Sequence, residues 1–351
     1  MKKQNPVRAW RAAALATTCA LLVFSALPGC TVTTGKDAKI AAELIEQGNA
    51  FYQQGQFAEA LAIYETVAER YKDNKFARVQ AALAQFNKGV AHGAMKNTGA
   101  ETEAYDTCVS RFGADTEPRV REWVAKARFN KAVALNQPGR EAEALALFDA
   151  VIADYQDDAD PRPQEMAARA MVEKGLALAK KPTAAAPAYD ACVQRFKASA
   201  DTRVREQAAR ALYNKGVMFG QAGNDALAIE AYADCAELFQ KETDPRIREN
   251  VVKSYYNMGF RMRGQDWRDG EIAAFNACVN QFQNDTDPVV REFVGKALIN
   301  KGISLRNHGK NAEAAGAFDE CVEFCKNEEA EIFKNLAADA ASFKAALPKG
   351  E

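Results

Sequence analysis

The sequence predicts an all-α solenoid of seven helical hairpins followed by a C-terminal capping helix. In residues 211–239, apolar residues recur with the 3.6-residue period of an amphipathic helix, and the period breaks at Gly223 before it resumes. Small, aromatic and turn residues in this pattern recur at spacings of 41 or 43 residues along the chain. A fixed period in this range is typical of a solenoid, in which each unit packs on its neighbours.

Three sets of equivalent positions define the seven units. The first helices carry a small anchor residue, which is Gly48, Gly89, Ala132, Gly175, Gly216, Gly259 or Gly302. The second helices carry an aromatic residue, which is Tyr64, Tyr105, Phe148, Tyr189, Tyr232, Phe275 or Phe318. A small residue follows each aromatic one, namely Val67, Cys108, Val151, Cys192, Cys235, Cys278 or Cys321. We expect the anchors to line up where one hairpin contacts the next, and the fourth unit to have lost two residues in its turn.

This pattern resembles the tetratricopeptide repeat (TPR). The matching residues of the fifth unit are Asn214, Gly216, Phe219, Gly223, Ala228, Tyr232 and Cys235. The resemblance covers about residues 37–325, with two departures. A lysine precedes most anchors where that family usually has leucine, and the unit is longer than the family's usual length of about 34 residues. We assign the extra length to a longer first helix, such as residues 245–264, which Asp244 would cap and Pro245 would open.

Residues 1–30 read as a bacterial lipoprotein signal peptide. Four basic residues precede an uncharged apolar run that is short for a membrane span, and the run ends in Leu27-Pro28-Gly29-Cys30. This ending resembles the lipobox, which implies that Cys30 is acylated, for example with palmitate, and becomes the first mature residue. Two alternatives are a secreted periplasmic protein and an uncleaved anchor. Because Thr31 rather than aspartate follows Cys30, the resemblance favours the outer membrane, with the protein facing the periplasm.

The remaining chain is organised as one repeat domain. Residues 31–36 form a short tether that spans about 20 Å when extended. Residues 37–325 hold the seven repeats without an interrupting linker. Residues 326–351 form a capping helix, about 326–346, and a tail, because the last repeat would otherwise expose an apolar face.

The sequence offers little for catalysis, and we expect no enzyme, cofactor or metal. Phosphate-binding and hydrolase motifs are absent, and the two histidines, His92 and His308, fall in different units. Mixed charges that sum to −1 argue against nucleic acid. The cysteines that share one repeated position would lie about 10 Å apart, too far for disulfides. We therefore interpret them as small buried residues, with a Cys321–Cys325 metal site as a weaker alternative.

Polar rows on the first helices form the candidate binding site. Asparagine stands two residues before the anchor at Asn87, Asn130, Asn214, Asn257 and Asn300. A base stands six residues before it at Lys126, Arg169, Arg210, Lys253 and Lys296. With an aliphatic row and an amide row after the anchor, these positions share one helix face. If the first helices line the concave surface, as the resemblance implies, asparagine could hold a peptide backbone and the bases could favour acidic groups. The alternative is that the asparagines pack between units and the bases are solvated.

The sequence thus favours a non-catalytic scaffold that is tethered to the cell envelope and binds an extended peptide or protein in its groove. A structural, self-assembling envelope protein without such a groove is the alternative. The residues do not identify the partner, because one fold can serve many partners.

Overall fold

The computed structural model describes residues 35–265 and 267–348, and these residues form fifteen α-helices and no strand. The first helices of the seven hairpins are α1 (Lys36–Gln53), α3 (Arg78–Ala94), α5 (Pro118–Leu135), α7 (Pro161–Ala177), α9 (Thr202–Gln221), α11 (Pro245–Gly264) and α13 (Pro288–Asn307). The second helices are α2 (Phe57–Arg70), α4 (Thr98–Phe112), α6 (Glu141–Tyr155), α8 (Pro182–Phe196), α10 (Asp225–Phe239), α12 (Arg268–Phe282) and α14 (Asn311–Cys325). The last helix is α15 (Glu331–Ala345). The predicted all-α repeat fold is confirmed, while residues 1–34, including Cys30, lie outside the described part.

Local sequence signals set the ends of these helices. Asp244 caps α11 by accepting a hydrogen bond from the Arg246 amide at 3.0 Å, and Pro245 occupies the first turn. The predicted range of this longer first helix, 245–264, is therefore confirmed. Gly223 ends the first helix of the fifth hairpin with a φ of 76°, a left-handed conformation that favours glycine.

The anchors lie inside the hairpins, so the expectation that they mark contacts between hairpins is wrong. A Cβ atom added to Gly216 would lie 2.5 Å from a ring carbon of Tyr232, the aromatic residue of the same hairpin. Gly48, Gly89, Gly175, Gly259 and Gly302 face their own aromatic residues in the same way. The glycine is needed because the second helix presses a large ring against the backbone of the first helix. The contact of Gly175 with Tyr189 survives in the fourth hairpin, but α7 ends two residues after its anchor, whereas α9 ends five residues after Gly216. The deletion therefore shortens the end of the first helix, and the expectation that it lies in the turn is wrong.

The first helices form the inner layer of the stack. Each second helix packs between its own first helix and the first helix of the next hairpin. The backbones of neighbouring first helices also approach one another, from α1 with α3 to α13 with α15. Among the described residues the backbones of second helices do not, and α2 and α4 meet only through long side chains, as in the Arg111–Glu69 ion pair. Elements on the inside of a curved stack lie closer together than those on the outside, so the face formed by the first helices is concave.

Arginines tie together the loops that join successive hairpins. Arg205, at the start of α9, donates to the Ser199 carbonyl at 2.7 Å in the loop before its hairpin and to Glu242 at 2.8 Å in the loop after it. Equivalent ion pairs are Arg78–Asp115, Arg121–Asp158, Arg248–Asp285 and Arg291–Glu328. In the fourth hairpin Gln164 stands at the arginine position and Ser199 at the position of its acidic partner, so this ion pair is missing.

The capping helix α15 repeats half of a hairpin. It contacts α13 and α14, as an interior first helix contacts the two helices of the preceding hairpin. The helix begins at Glu331 rather than at residue 326, because residues 326–330 form one more loop, in which Glu328 is held by Arg291. No helix in the described ranges has the length and hydropathy that a membrane span requires.

Candidate protein-binding surface

The predicted asparagine and basic rows lie on the first helices and are partly buried. The apolar row beside them stands one residue after the anchor, and three of its members are exposed, whereas Val90, Val217 and Ile303 are half-buried. Phe260 is 45% exposed, Val133 43% and Leu176 39%. Because the first helices lie next to one another on the concave face, these side chains form a row that runs across the hairpins.

The asparagine row mostly bonds to tyrosines of neighbouring hairpins. Asn130 Nδ2 donates to the Tyr105 hydroxyl at 3.4 Å, and Asn257 Nδ2 donates to that of Tyr232 at 3.5 Å. Asn87 instead donates to Asn49 Oδ1 at 3.2 Å, and Asn300 donates to the Tyr256 hydroxyl at 3.3 Å. Asn214 occupies the same position beside Tyr189, whose buried hydroxyl has no partner among the described residues.

At most boundaries the residue at the asparagine position matches the aromatic residue of the preceding hairpin. The exception is Asn300, which follows Phe275 and bonds to Tyr256 instead. Where the preceding aromatic residue is Phe148, which has no hydroxyl, the asparagine position is occupied by Glu173. Where it is Phe318, the equivalent position in α15 is Phe343, and the two rings lie 5.9 Å apart. Asparagine therefore has a packing role between units, which is the alternative that the sequence left open. Its side-chain oxygen can still accept a hydrogen bond from a ligand, so the binding role stays a prediction.

Each residue of the basic row has a carboxylate partner. Lys126 donates to Glu122 at 2.7 Å, Lys253 pairs with Glu249, and Lys296 pairs with Glu292. Arg169 lies 3.8 Å from Glu165, and Arg210 pairs with Glu173 at 2.9 Å. Aromatic rings lie below several of these cations, with Lys126 4.3 Å from the ring centre of Trp123 and Lys296 4.9 Å from that of Phe293. Charges on this part of the concave face are thus largely compensated.

Sequence reasoning missed the glutamates that compensate the bases. They stand ten residues before the anchor in five successive hairpins, at Glu122, Glu165, Glu206, Glu249 and Glu292. Glu206 accepts from Arg246 of the next hairpin at 3.0 Å, and burial raises its pKa. The repeated identity at one offset was the signal that could have revealed this row.

A groove of about 520 Å³ opens between the fifth and sixth hairpins. Its walls include Tyr213 and Val217 from α9 and Tyr256, Asn257 and Phe260 from α11. The ring centres of Tyr256 and Phe260 are 5.4 Å apart. This groove combines a predicted asparagine with exposed aromatic surface, which is the composition expected of a protein-binding site.

An arginine that lines the groove joins the two hairpins by hydrogen bonds. Arg261 donates to the Gly220 carbonyl and to Asp225 Oδ1, both at 3.1 Å. At Gly220 an added Cβ would lie 2.6 Å from the guanidinium carbon, so only glycine leaves room for this arrangement. Arginine stands here where the first four hairpins have alanine, which is a departure that the sequence could have revealed.

A polar cluster lies one hairpin further on. Glu271 is 2% exposed and accepts from Arg263 Nε at 2.5 Å, while Arg263 also donates to Asn300 Oδ1 at 3.2 Å. Ser304 and His308 line the same space of about 210 Å³. Glu271 replaces the small residue found at this position in most hairpins, such as Ala228. It was not singled out from the sequence, although this departure from the repeat was visible there.

The cysteines offer no site of their own. The six cysteines of the described residues are buried free thiols, namely Cys108, Cys192, Cys235, Cys278, Cys321 and Cys325. For all but Cys325 this is what the repeated position predicted. Burial raises the pKa of Cys108 and Cys235 to about 12. Their sulfurs lie 3.9 Å and 3.6 Å from the carbonyls of Ala82 and Ala209. Within the described ranges no group of three or more His, Cys, Asp or Glu residues is placed to hold a metal ion.

Comparisons with known proteins support the repeat family. Residues 45–109, which lie in the first two hairpins, match the family model described as Tetratricopeptide repeat. The remaining hairpins repeat the same architecture, so the chain has a TPR-like helical fold throughout its described part. The match indicates a repeat fold and no enzyme family. No curated protein matches the sequence.

Solved structures resemble the fold at low sequence identity. The STAND protein PH0952 from Pyrococcus horikoshii, which has a tetratricopeptide repeat sensor, is 10% identical with a TM-score of 0.52, and the match covers 88% of this chain and 46% of that one. The apo form of RapI is 11% identical with a TM-score of 0.50, over 88% of this chain and 87% of that one. A tetratricopeptide repeat protein from Parabacteroides merdae is 15% identical with a TM-score of 0.38, over 86% and 98%. These likenesses concern the fold alone.

Proposed function

We propose that this protein is a non-catalytic scaffold that binds an extended segment of a partner protein on its concave face. The observation that carries the proposal is the exposed apolar row on the first helices. Folding alone does not require a phenylalanine that is 45% exposed at Phe260, because Val90, Val133 and Val217 fill the equivalent position in other hairpins. Exposed aromatic residues beside hydrogen-bonding groups are typical of sites that partners contact.

The groove between the fifth and sixth hairpins is the proposed centre of this surface. Asn257 lines the groove beside its apolar residues, and its side-chain amide can form hydrogen bonds to the backbone of a bound segment. The other asparagines and the paired bases extend the surface along the stack. Because these bases already have carboxylate partners, they would orient a ligand more than attract an acidic one.

The ends of the solenoid argue against the alternative of self-assembly by end-to-end stacking. In the interior, every junction places a second helix between two first helices. Both ends of the described stack are first helices, because α15 occupies the position of an eighth one. Joining two copies head to tail would therefore place α15 against α1 without a second helix between them.

We further propose that the scaffold is anchored at the cell envelope through a lipid on Cys30. Support comes from the basic, apolar and lipobox-like pattern of residues 1–30. More than one acyl chain would give stable attachment to the outer membrane, with the solenoid facing the periplasm. Incorporation of labelled palmitate by the wild-type protein, and its loss in Cys30→Ala, is the expected result. Equal labelling of the two proteins would remove the anchor from the proposal.

Capture of partners from native envelope membranes tests the binding function. We expect Phe260→Val, and Asn214→Ala combined with Asn257→Ala, to lower the amount of captured partner by about tenfold. The helical circular dichroism signal should stay unchanged, because valine is the residue that other hairpins carry at the Phe260 position. Phe76→Ala is the matched control, since Phe76 is 47% exposed but lies in a loop outside the groove. Unchanged capture by both groove variants would overturn the proposed function.

A further inference from the structure

We propose that the groove between the fifth and sixth hairpins binds an uncharged, proline-rich segment in the polyproline II conformation. This inference rests on the proposed scaffold function and specifies the class of partner. Ring geometry, hydrogen-bonding groups, charge and the spacing of the hairpins each bear on it.

The groove presents aromatic rings that can hold proline rings between them. Tyr213 from α9 and Tyr256 and Phe260 from α11 line it, with Val217 beside them. The plane of Tyr256 is inclined by 50° to that of Phe260, so the two rings do not form one flat surface. Aromatic-lined grooves of this kind suit polyproline helices, which lose little conformational entropy on binding because they are already extended.

The polar groups of the groove suit a ligand that only accepts hydrogen bonds. Proline has no backbone N–H, so its segment offers carbonyl oxygens alone. Tyr232 is 1% exposed and its hydroxyl accepts one N–H of Asn257, which leaves the second N–H of Asn257 for a ligand. Asn257 and Gln221 have amide N–H groups, and both residues line the groove.

The charges of the groove favour an uncharged segment. Its acid, Asp225, and its base, Arg261, are bound to each other at 3.1 Å. Lys253, whose ammonium lies 6.0 Å from the ring centre of Tyr213, is paired with Glu249. Neither an acidic nor a basic peptide would find an unpaired counter-ion among these residues, whereas an uncharged peptide leaves each existing pair intact.

The spacing of the hairpins matches the repeat of polyproline II. Packed helices lie about 8–10 Å apart, and neighbouring first helices contact one another, so we expect a step of this size between their equivalent residues. Polyproline II has three residues per turn and a rise of 3.1 Å per residue, so every third residue returns to one face after about 9 Å. A β-strand returns to one face after about 6.6 Å, which does not match the step. Val217, Phe260 and Ile303, on three successive hairpins, would therefore meet every third residue of a polyproline segment.

Calorimetry with the purified full-length protein in detergent tests the inference. The probes are an end-blocked nonaproline peptide and an end-blocked peptide of equal length that alternates valine and serine. We expect nonaproline to bind at least about tenfold more tightly, and Phe260→Val to weaken it by at least about tenfold. The control variant Phe76→Ala should bind as the wild type does.

Three outcomes would overturn the inference, and they separate it from the proposed function. Equal binding of the two peptides, or no binding of nonaproline, would reject polyproline recognition. The scaffold function would survive either result if Phe260→Val still lowered capture of partners from membranes. Nonaproline binding that Phe260→Val leaves unchanged would place the proline site outside this groove and would also overturn the inference.

Discussion

Lys215 of the fifth hairpin donates a 2.7 Å hydrogen bond to Asp190 of the fourth, across the boundary between the two units. Equivalent pairs join the other boundaries where both charges are present, namely Lys88–Glu65, Lys131–Asp106, Lys174–Asp149 and Lys344–Asp319. At the boundary between the fifth and sixth hairpins both charges are missing, because Met258 and Ala233 stand in these positions. The lysine that distinguishes this chain from the usual TPR pattern is therefore half of an ion pair between units.

Restoring the missing pair should stabilise the solenoid. We expect Met258→Lys combined with Ala233→Asp to exceed the sum of the two single variants by about 0.5 kcal/mol in free energy of unfolding, the usual value for a partly exposed pair. Urea denaturation at low and high salt measures the coupling, which salt should weaken. The double-mutant cycle of Lys215→Met and Asp190→Ala serves as the control. If the effects of the single variants were additive in both cycles, these ion pairs would have no stabilising role.

Two tyrosines at one repeat position should respond differently to loss of the hydroxyl. Tyr64 donates to Asn49 Oδ1 at 2.7 Å, so Tyr64→Phe should cost about 1 kcal/mol of folding free energy. Tyr189 has a buried hydroxyl without a partner among the described residues, so Tyr189→Phe should be neutral or stabilising. Thermal unfolding of both variants decides the point. A larger loss in Tyr189→Phe would show that its hydroxyl has a partner in solution.

Stability should fall at acidic pH because of the aspartates that cap the first helices. Hydrogen bonds from Arg203 and Arg246 hold the pKa of Asp201 and Asp244 below the ordinary value. A carboxyl group with a lowered folded pKa stabilises the fold above its unfolded pKa of about 3.9 and loses this contribution as the pH falls through the folded pKa.

The variant Asp201→Asn with Asp244→Asn should therefore lose less stability between neutral pH and pH values below about 4 than the wild type does. Asparagine keeps the capping hydrogen bond but does not titrate. The variant therefore distinguishes the effect of carboxyl protonation from the effect of losing the cap. Urea midpoints at the two pH values provide the measurement. Identical pH dependence in variant and wild type would mean that other acids govern the acid response.

The buried thiols should report unfolding rather than function. Because burial raises the pKa of Cys108 and Cys235 to about 12, almost no thiolate is present near neutral pH. We expect iodoacetamide to leave both residues unmodified in the native protein and to modify both in urea, as read by peptide mass spectrometry. Rapid modification of native Cys235 would contradict its buried packing role.

Much of the fold could be predicted from the sequence because each unit carries its own local signals. The left-handed Gly223 turn, the Asp244 cap and the small-residue anchors are effects of neighbours in sequence, and seven copies make them visible without a structure. The binding surface was predicted less completely. Asn257 and Lys253 lie on a first helix, as their offsets from the anchor predicted, but their partners Tyr232 and Glu249 were not identified.

The sequence by itself therefore determined the helices, their order and the repeat, since these follow from periodicity and capping within about 40 residues. Only the tertiary structure decided which residues meet across units. It placed Gly216 within its own hairpin, paired Asn257 with Tyr232 of the preceding hairpin, and opened a groove between α9 and α11. The reason is that curvature and the distance between packed helices depend on how whole side chains fit together, and no periodicity along one chain encodes that fit directly.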